Sequence, residues 1–274
     1  MPACTAGGHR RFTCADLAVY LSNYHRGHVL HSVGPILESY LEAILDLIER
    51  EDEHRLLEVL FQSVLCGEEA SFQTMVDHLF SVYPEDALVY GSVLLNLLSM
   101  VDQHYMSGSI GVADEHRFSQ AIKDACARHY LHDIRHMTPC GRMALIGCAQ
   151  GDHHDISALV TRIIFIRRGY CVRFLGSDVP DRVFREEQER WKPDVVCISR
   201  TLPVAPLKDQ SVLRALLAGR TEPPDFQVVL GGAWSDWTRS WVTRNPNVSL
   251  LKTMQELDSW LDSRSRPSLG HRVS

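Results

Sequence analysis

From Met143 to Leu261, five short apolar runs alternate with amphipathic segments, and few folds accept that alternation. The runs are Met143–Ala149, Cys171–Leu175, Val195–Ser199, Gln227–Leu230 and Val248–Leu251. They are rich in Val, Ile, Leu and Cys, as strands buried on both faces are. Between them lie Ile156–Arg167, Asp181–Trp191, Asp209–Ala218 and Trp234–Thr243, and Met254–Leu261 closes the series. Strands and helices in strict alternation imply a doubly wound, five-stranded parallel sheet with right-handed crossovers. The expected class is α/β, a flavodoxin-like sheet preceded by an N-terminal helical bundle.

The earlier part of the chain has a helical period. Leu37, Leu41, Ile44, Leu45 and Ile48 recur at spacings of three and four, as do Leu56, Leu57, Leu60, Phe61, Val64 and Leu65. Gly67 is expected to end that second helix. Phe72, Met75, Val76, Leu79 and Phe80 repeat the pattern. Pro84, Glu85 and Asp86 open another helix, with Pro in the first turn and acids at the positive end of the dipole. That helix, Leu88 to Tyr105, is apolar on nearly every side and is expected at the bundle centre. A last helix carries Phe118, Ile122 and Ala125–Tyr130. Short loops make a four- or five-helix antiparallel bundle. The expected organisation is an extension over 1–33, a bundle cap over 34–133, a linker over 134–142, an α/β domain over 143–263 and a disordered tail over 264–274.

A formal net charge of -6 argues against a surface given over to nucleic acid. No helix-turn-helix pair is evident, which leaves the N-terminal extension as the one place for direct DNA contact. Thr13–Ser22 reads as a short helix. His25, His28 and His31 read as a polar edge, because no Cys or carboxylate completes a ligand set. The 8 Cys show no C-x-x-C pair. Cys148, Cys171 and Cys197 are expected as small buried hydrophobes in a reducing compartment. The N-terminus lacks the apolar core of a signal peptide. The longest apolar stretch, Ala87–Met100, is too short to span a bilayer and carries Asn96. A cytoplasmic protein with no membrane segment is expected.

The polar loop Gly151–Ser157 follows the first strand and precedes a helix. In open parallel sheets ligands sit at such carboxyl strand ends. Asp152, His153, His154 and Asp155 suit a ligand site; they equally suit a solvated turn in which Asp155 caps the helix. The third strand ends in Ser199, Arg200 and Thr201, and the fourth in Gly231 and Gly232. Strands 1, 3 and 4 are neighbours in the commonest five-strand order, so these loops should share one edge.

Together these segments resemble the cobalamin-binding domain family, which carries Asp-x-His-x-x-Gly, Ser-x-Leu and Gly-Gly on a flavodoxin-like sheet. Asp152, His153, His154, Asp155, Ile156 and Ser157 match the first element, with Ser157 in place of Gly. Ser199 and Thr201 match the second, with Thr201 in place of Leu, and Gly231 and Gly232 match the third. The resemblance implies that His154 is the lower axial ligand of cobalt, replacing the dimethylbenzimidazole. Asp152 is placed to accept a hydrogen bond from the second ring nitrogen, and Ser199 to extend that relay. Gly231 and Gly232 let backbone approach the nucleotide tail closely. His153 competes for the axial role, and the spacing from Asp152 favours His154.

The bundle carries a second resemblance, to cobalamin photoreceptors of the light-sensing transcription-regulator type. Their cap is marked by Trp, nine residues, then Glu-His. Here Tyr105 is followed at that spacing by Glu115 and His116, with Tyr in place of Trp. The resemblance implies that Tyr105, Glu115 and His116 face the upper ligand. The smaller ring favours water or hydroxide over adenosyl, and both hydroxo and adenosyl forms stay open. The cap histidine that ligates cobalt after photolysis in those photoreceptors corresponds here to Met106. A cap and cobalamin domain with a short extension, and no DNA-binding head, resembles the antirepressors of the AerR and PpaA type. The function implied is a light- or cofactor-state-responsive transcriptional regulator that binds a transcriptional repressor protein and is not an enzyme. The alternatives are a corrinoid protein carrying methyl groups between methyltransferases, a haem-binding sensor of the same fold, and an interaction module without cofactor.

Overall fold

A computed structural model describes residues 3–4, 10–11, 52–82, 88–201, 206–217 and 225–265. The chain divides into two compact units, Met1–Ala125 and Cys126–Ser274. The expectations placed on Thr13–Ser22, on His25, His28 and His31, on the 37–48 helix and on Pro84–Asp86 lie outside the described residues.

Besides a two-residue ladder of Ala3–Cys4 against Arg10–Arg11, the first unit contains α1 (Glu53–Leu65) and α2 (Glu69–Val82). A π-helical segment (Leu88–Leu95), α3 (Asn96–Met106) and the start of α4 (Val112–His136) follow. Asp52 caps α1 by accepting from Arg55 N at 3.3 Å. The apolar stripe of α1 then buries Leu56, Leu60, Phe61 and Val64. Phe61 stacks on Phe118 of α4 at 4.7 Å and on His104 of α3 at 4.6 Å. The single helix expected from Leu88 begins with π-helical winding, and Val89, Tyr90, Val93, Leu94, Leu97 and Val101 are buried along it. Its surface is not apolar all round: Asn96 is exposed and donates to Glu53 Oε1 at 2.7 Å.

The second unit is the expected parallel sheet. Its strands are β1 (Met143–Cys148), β2 (Cys171–Gly176), β3 (Val195–Arg200), β4 (Gln227–Gly232) and β5 (Val248–Leu251). They lie in the order β2-β1-β3-β4-β5, all parallel. The crossovers are α5 (Ile156–Arg167), α6 (Asp181–Trp191), α7 (Pro206–Leu217) and α8 (Asp236–Val242), and α9 (Met254–Ser265) ends the fold. Leu145, Val196, Ile198, Val228 and Leu230 form the core with Phe184, Val212, Leu216 and Trp234. One strand departs from expectation. β2 is an edge strand, so Cys171 and Arg173 are exposed where burial on both faces was expected. Cys148 and Cys197 are buried as anticipated.

The residues expected to open a linker at 134 continue α4 as far as His136. Within the second unit this end of α4 is tied to α5. Arg162 lies 3.5 Å over the Tyr130 ring, and Arg167 Nε donates to Asp133 Oδ2 at 2.6 Å. Among the described residues no helix is long and apolar enough to cross a membrane.

Candidate functional site

β1 and β3 are adjacent, but their crossovers leave in opposite directions, β1 to β2 and β3 to β4. This is the switch point at which open sheets bind ligands. Gly151, with φ +81, turns the chain as it leaves β1. The carboxylate of Asp152, only 5% exposed, then accepts three hydrogen bonds. Oδ1 takes His154 N at 3.0 Å and His154 Nδ1 at 2.9 Å, and Oδ2 takes Thr201 N at 2.5 Å. A buried carboxyl without donors would cost several kcal/mol, roughly, and these three bonds offset that cost.

That arrangement fixes the imidazole. A carboxylate can only accept, so Nδ1 carries the proton, and in the neutral ring Nε2 is the nitrogen with the lone pair. The His154 side chain is 57% exposed while its partner is buried. A ring oriented from beneath, with its free nitrogen outward, is the state a metal-ligating histidine requires. His153 is exposed and is not among the partners of Asp152. Asp152 Oδ2 takes the Thr201 backbone N–H, and Ser199 is placed at the end of β3 with its carbonyl accepting Ala149 N at 2.9 Å.

The other predicted residues have structural duties. Asp155 occupies the cap position of α5, but its side chain makes no capping hydrogen bond, which corrects the capping alternative. Ile156 is buried, and the Ser157 carbonyl accepts Thr161 Oγ1 at 2.9 Å. Burial, with the Asp155 charge as a second cause, pushes the Cys126 thiol up to about 12, so it is no nucleophile.

The two glycines after β4 differ. Gly232 has φ +89, and a Cβ there would lie 2.2 Å from the Arg200 carbonyl oxygen. Its lack of a side chain serves the packing of β4 on β3. A Cβ on Gly231 would meet nothing within 4 Å, so Gly231 borders open space. Sequence reasoning did not select Arg200 and Trp234 as site residues. Arg200 is 2% exposed, with its guanidinium 4.6 Å over the Trp234 ring, and Trp234 Nε1 donates to Gly231 O at 3.0 Å. Arg200 also lines a polar cleft with Gln150, Gly151, Asp178, Asp181 and Ser211.

In the first unit, Tyr105 ends α3 and is 42% exposed. After the turn through Gly108, Glu115 and His116 lie in the opening turns of α4. Glu115 Oε1 accepts Ser119 Oγ at 2.9 Å, and Glu115 Oε2 lies 3.4 Å from Nε2 of the exposed His116. Met106 and Val112 are also exposed here.

No family model matches the chain. By sequence it is 33% identical to the HTH-type transcriptional repressor CarA of Myxococcus xanthus over 184 residues, 67% of this chain and 60% of that protein. It is 26% identical to the HTH-type transcriptional repressor CarH of the same organism over 212 residues, 72% of this chain and 69% of that one. The chain thus spans less than two thirds of the length of CarA. Among solved structures it shares the fold of the monomethylamine corrinoid protein of Methanosarcina barkeri, with a TM-score of 0.60 at 16% identity, over 74% of this chain and 96% of that one. The likeness in sequence is thus to transcriptional repressors, and the shared fold is that of a corrinoid protein.

Proposed function

We propose that this chain is a cobalamin-binding transcriptional regulator that responds to light or to the state of its cofactor. One observation carries the reading: the half-exposed His154, held through Nδ1 by the buried Asp152, with Nε2 free at the switch point of the sheet. The residues fit the group. Nε2 would offer one nitrogen donor to cobalt, and the open space beside Gly231 would give room for a tail. When bound, cobalamin supplies a cobalt whose upper bond is sensitive to light and to redox state. His154 would hold the cobalt through Nε2, with Asp152 fixing the imidazole tautomer and Thr201 N holding Asp152. Tyr105, Glu115 and His116 are assigned to the upper ligand by resemblance. The sequence similarity to CarA and CarH supports a regulatory role. In this reading the protein acts in the cytoplasm on a transcriptional repressor, as a switch between two states rather than as an enzyme.

A methyl-carrying corrinoid protein is the second reading, favoured by the fold shared with the monomethylamine corrinoid protein. Absorption spectra decide between them. The protein is mixed in turn with hydroxocobalamin, adenosylcobalamin and haem, in darkness and after illumination, beside His154→Ala. The regulator reading expects a cobalamin spectrum that shifts on binding, loses the shift in His154→Ala, and changes with light. Methyl transfer to the bound cobalt by a methyltransferase favours the carrier, and binding of haem alone overturns both.

A further inference from the structure

We propose that Asp178, in the turn between β2 and α6, is the positioning residue that sets the loop bearing His154. The role rests on the reading of His154 as a cobalt ligand. It begins with an irregularity at the end of β2. Ile146 pairs with Phe174, but the next residue of β1, Gly147, pairs with Gly176, leaving Leu175 as one extra residue. A Cβ on Gly147 would lie 3.1 Å from Leu175 Cβ, so a side chain there would press on the bulged residue. Bulges at a sheet rim redirect the chain, and here the redirected chain returns across the end of β1.

Asp178 then binds the loop twice. Its N–H donates to the Asp152 carbonyl at 2.8 Å, and its Oδ1 accepts Gly151 N at 2.7 Å. The next residue continues the seam, with Val179 N donating to Cys148 O at 3.1 Å. Asp152 is therefore held on both sides, by Asp178 along its backbone and by Thr201 at its carboxylate. Asp178 accepts a φ of +49 to do this, a left-handed conformation that Asp tolerates better than most residues. Its side chain is exposed, where a hydrogen bond adds little to stability. A strained backbone spent on a weakly stabilising bond is accounted for by what the bond positions. Asp152 orients the imidazole, so a displacement of Asp152 moves Nε2 with it, and a ligating atom tolerates only about 0.5 Å of misplacement.

The test compares the full chain with Asp178→Ala, Asp178→Gly and Asp178→Asn. Glycine relieves the backbone strain but removes the acceptor, whereas asparagine keeps both the acceptor and the tolerance of positive φ. The first readout needs no cofactor: the exchange rate of the Gly151 amide by NMR. Exchange is expected to quicken about 10-fold in the Ala and Gly variants and to stay near wild type in Asn. The second is a titration with hydroxocobalamin, reading the imidazole-ligated spectrum. Affinity is expected to fall about 10-fold in Ala and Gly, with rescue by Asn. Wild-type exchange at Gly151 in the Ala and Gly variants overturns the clamp. Wild-type affinity and spectrum in those variants, while His154→Ala loses both, overturn the positioning role. If wild-type protein gives no imidazole-ligated spectrum, the cobalt reading itself falls and the role with it, while the exchange rates still report on the clamp.

Discussion

A Cβ added to Gly232 would lie 2.2 Å from Arg200 O, and one added to Gly231 would meet nothing within 4 Å. The two positions should therefore respond in opposite ways to the same substitution. Gly232→Ala must relieve both a backbone overlap and a positive φ. It is expected to destabilise the cofactor-free protein by at least about 2 kcal/mol, measured by urea unfolding. Gly231→Ala is expected to leave that stability within about 0.5 kcal/mol. If the space beside Gly231 receives the cobalamin tail, the added methyl costs about 1–3 kcal/mol of binding, or about 5- to 150-fold in Kd. Equal cobalamin affinity in Gly231→Ala and wild type would place the tail elsewhere. Asp152 gives a third contrast. Asp152→Asn cannot accept from His154 and Thr201 with both of its terminal atoms, since one of them is now a donor. Cobalamin affinity is expected to fall about 10- to 100-fold in a spectroscopic titration. Much at this scale was legible in the sequence. Asp152 and His154 stand two apart after an apolar run, and the structure joins them at 2.9 Å. The Thr201 N–H was not legible, because a backbone donor has no residue signature. Nor was Asp178, whose positive φ leaves no mark in the chain.

Arg117 of α4 shows what holds elements together in the first unit. Its Nη2 donates to the Val64 carbonyl near the end of α1 at 2.7 Å and to Glu69 Oε1 in the first turn of α2 at 2.8 Å. One side chain thus satisfies a helix C-terminus and pins the α1–α2 turn. Arg117→Ala is expected to cost about 1 kcal/mol, since the pair is partly exposed. The Arg117 hydrogen bond also holds the Glu69 carboxyl below its usual range. A lowered folded-state pKa adds stability above the unfolded value, and the contribution disappears as pH falls through the folded one. The unfolding midpoint of Glu69→Gln should therefore depend less on pH than that of wild type below about pH 4.5. An unchanged acid limb would remove the pair from the account. Element type was legible where apolar spacing decides it: the five strands and α5, α6 and α9 begin at the residues where the sequence segments were expected to begin. The π-helical winding of Leu88–Leu95 was not, since a segment apolar on many sides has no period to betray its pitch. The end of α4 was missed for another reason. Ile134, Arg135 and His136 stand just ahead of Pro139 and Gly141 and read as linker, yet they continue the helix.

For the whole molecule, topology carries more than any strand. The expectation that strands 1, 3 and 4 are neighbours holds, and the observed order also sets β2 beside β1. Its loop therefore shares the functional edge, which is why Asp178 reaches Gly151. The division inside α4, between Ala125 and Cys126, adds a thermodynamic expectation. A ligand that binds only the folded state adds RT ln(1 + [L]/Kd), about 2.7 kcal/mol at one hundred times Kd. For a domain of the size of the second unit this raises the thermal midpoint by about 5–10 °C. Hydroxocobalamin and adenosylcobalamin are each expected to give such a rise in scanning calorimetry, and His154→Ala to lose most of it. If light is the signal, illumination of the adenosylcobalamin sample should move its midpoint to that of the hydroxocobalamin sample, because the upper ligand is then no longer bound. The same rise with haem and none with either cobalamin would transfer the site to haem. Rises that are equal in darkness and light would leave a cobalamin protein without a light response, whose regulation depends on which form of the cofactor it holds.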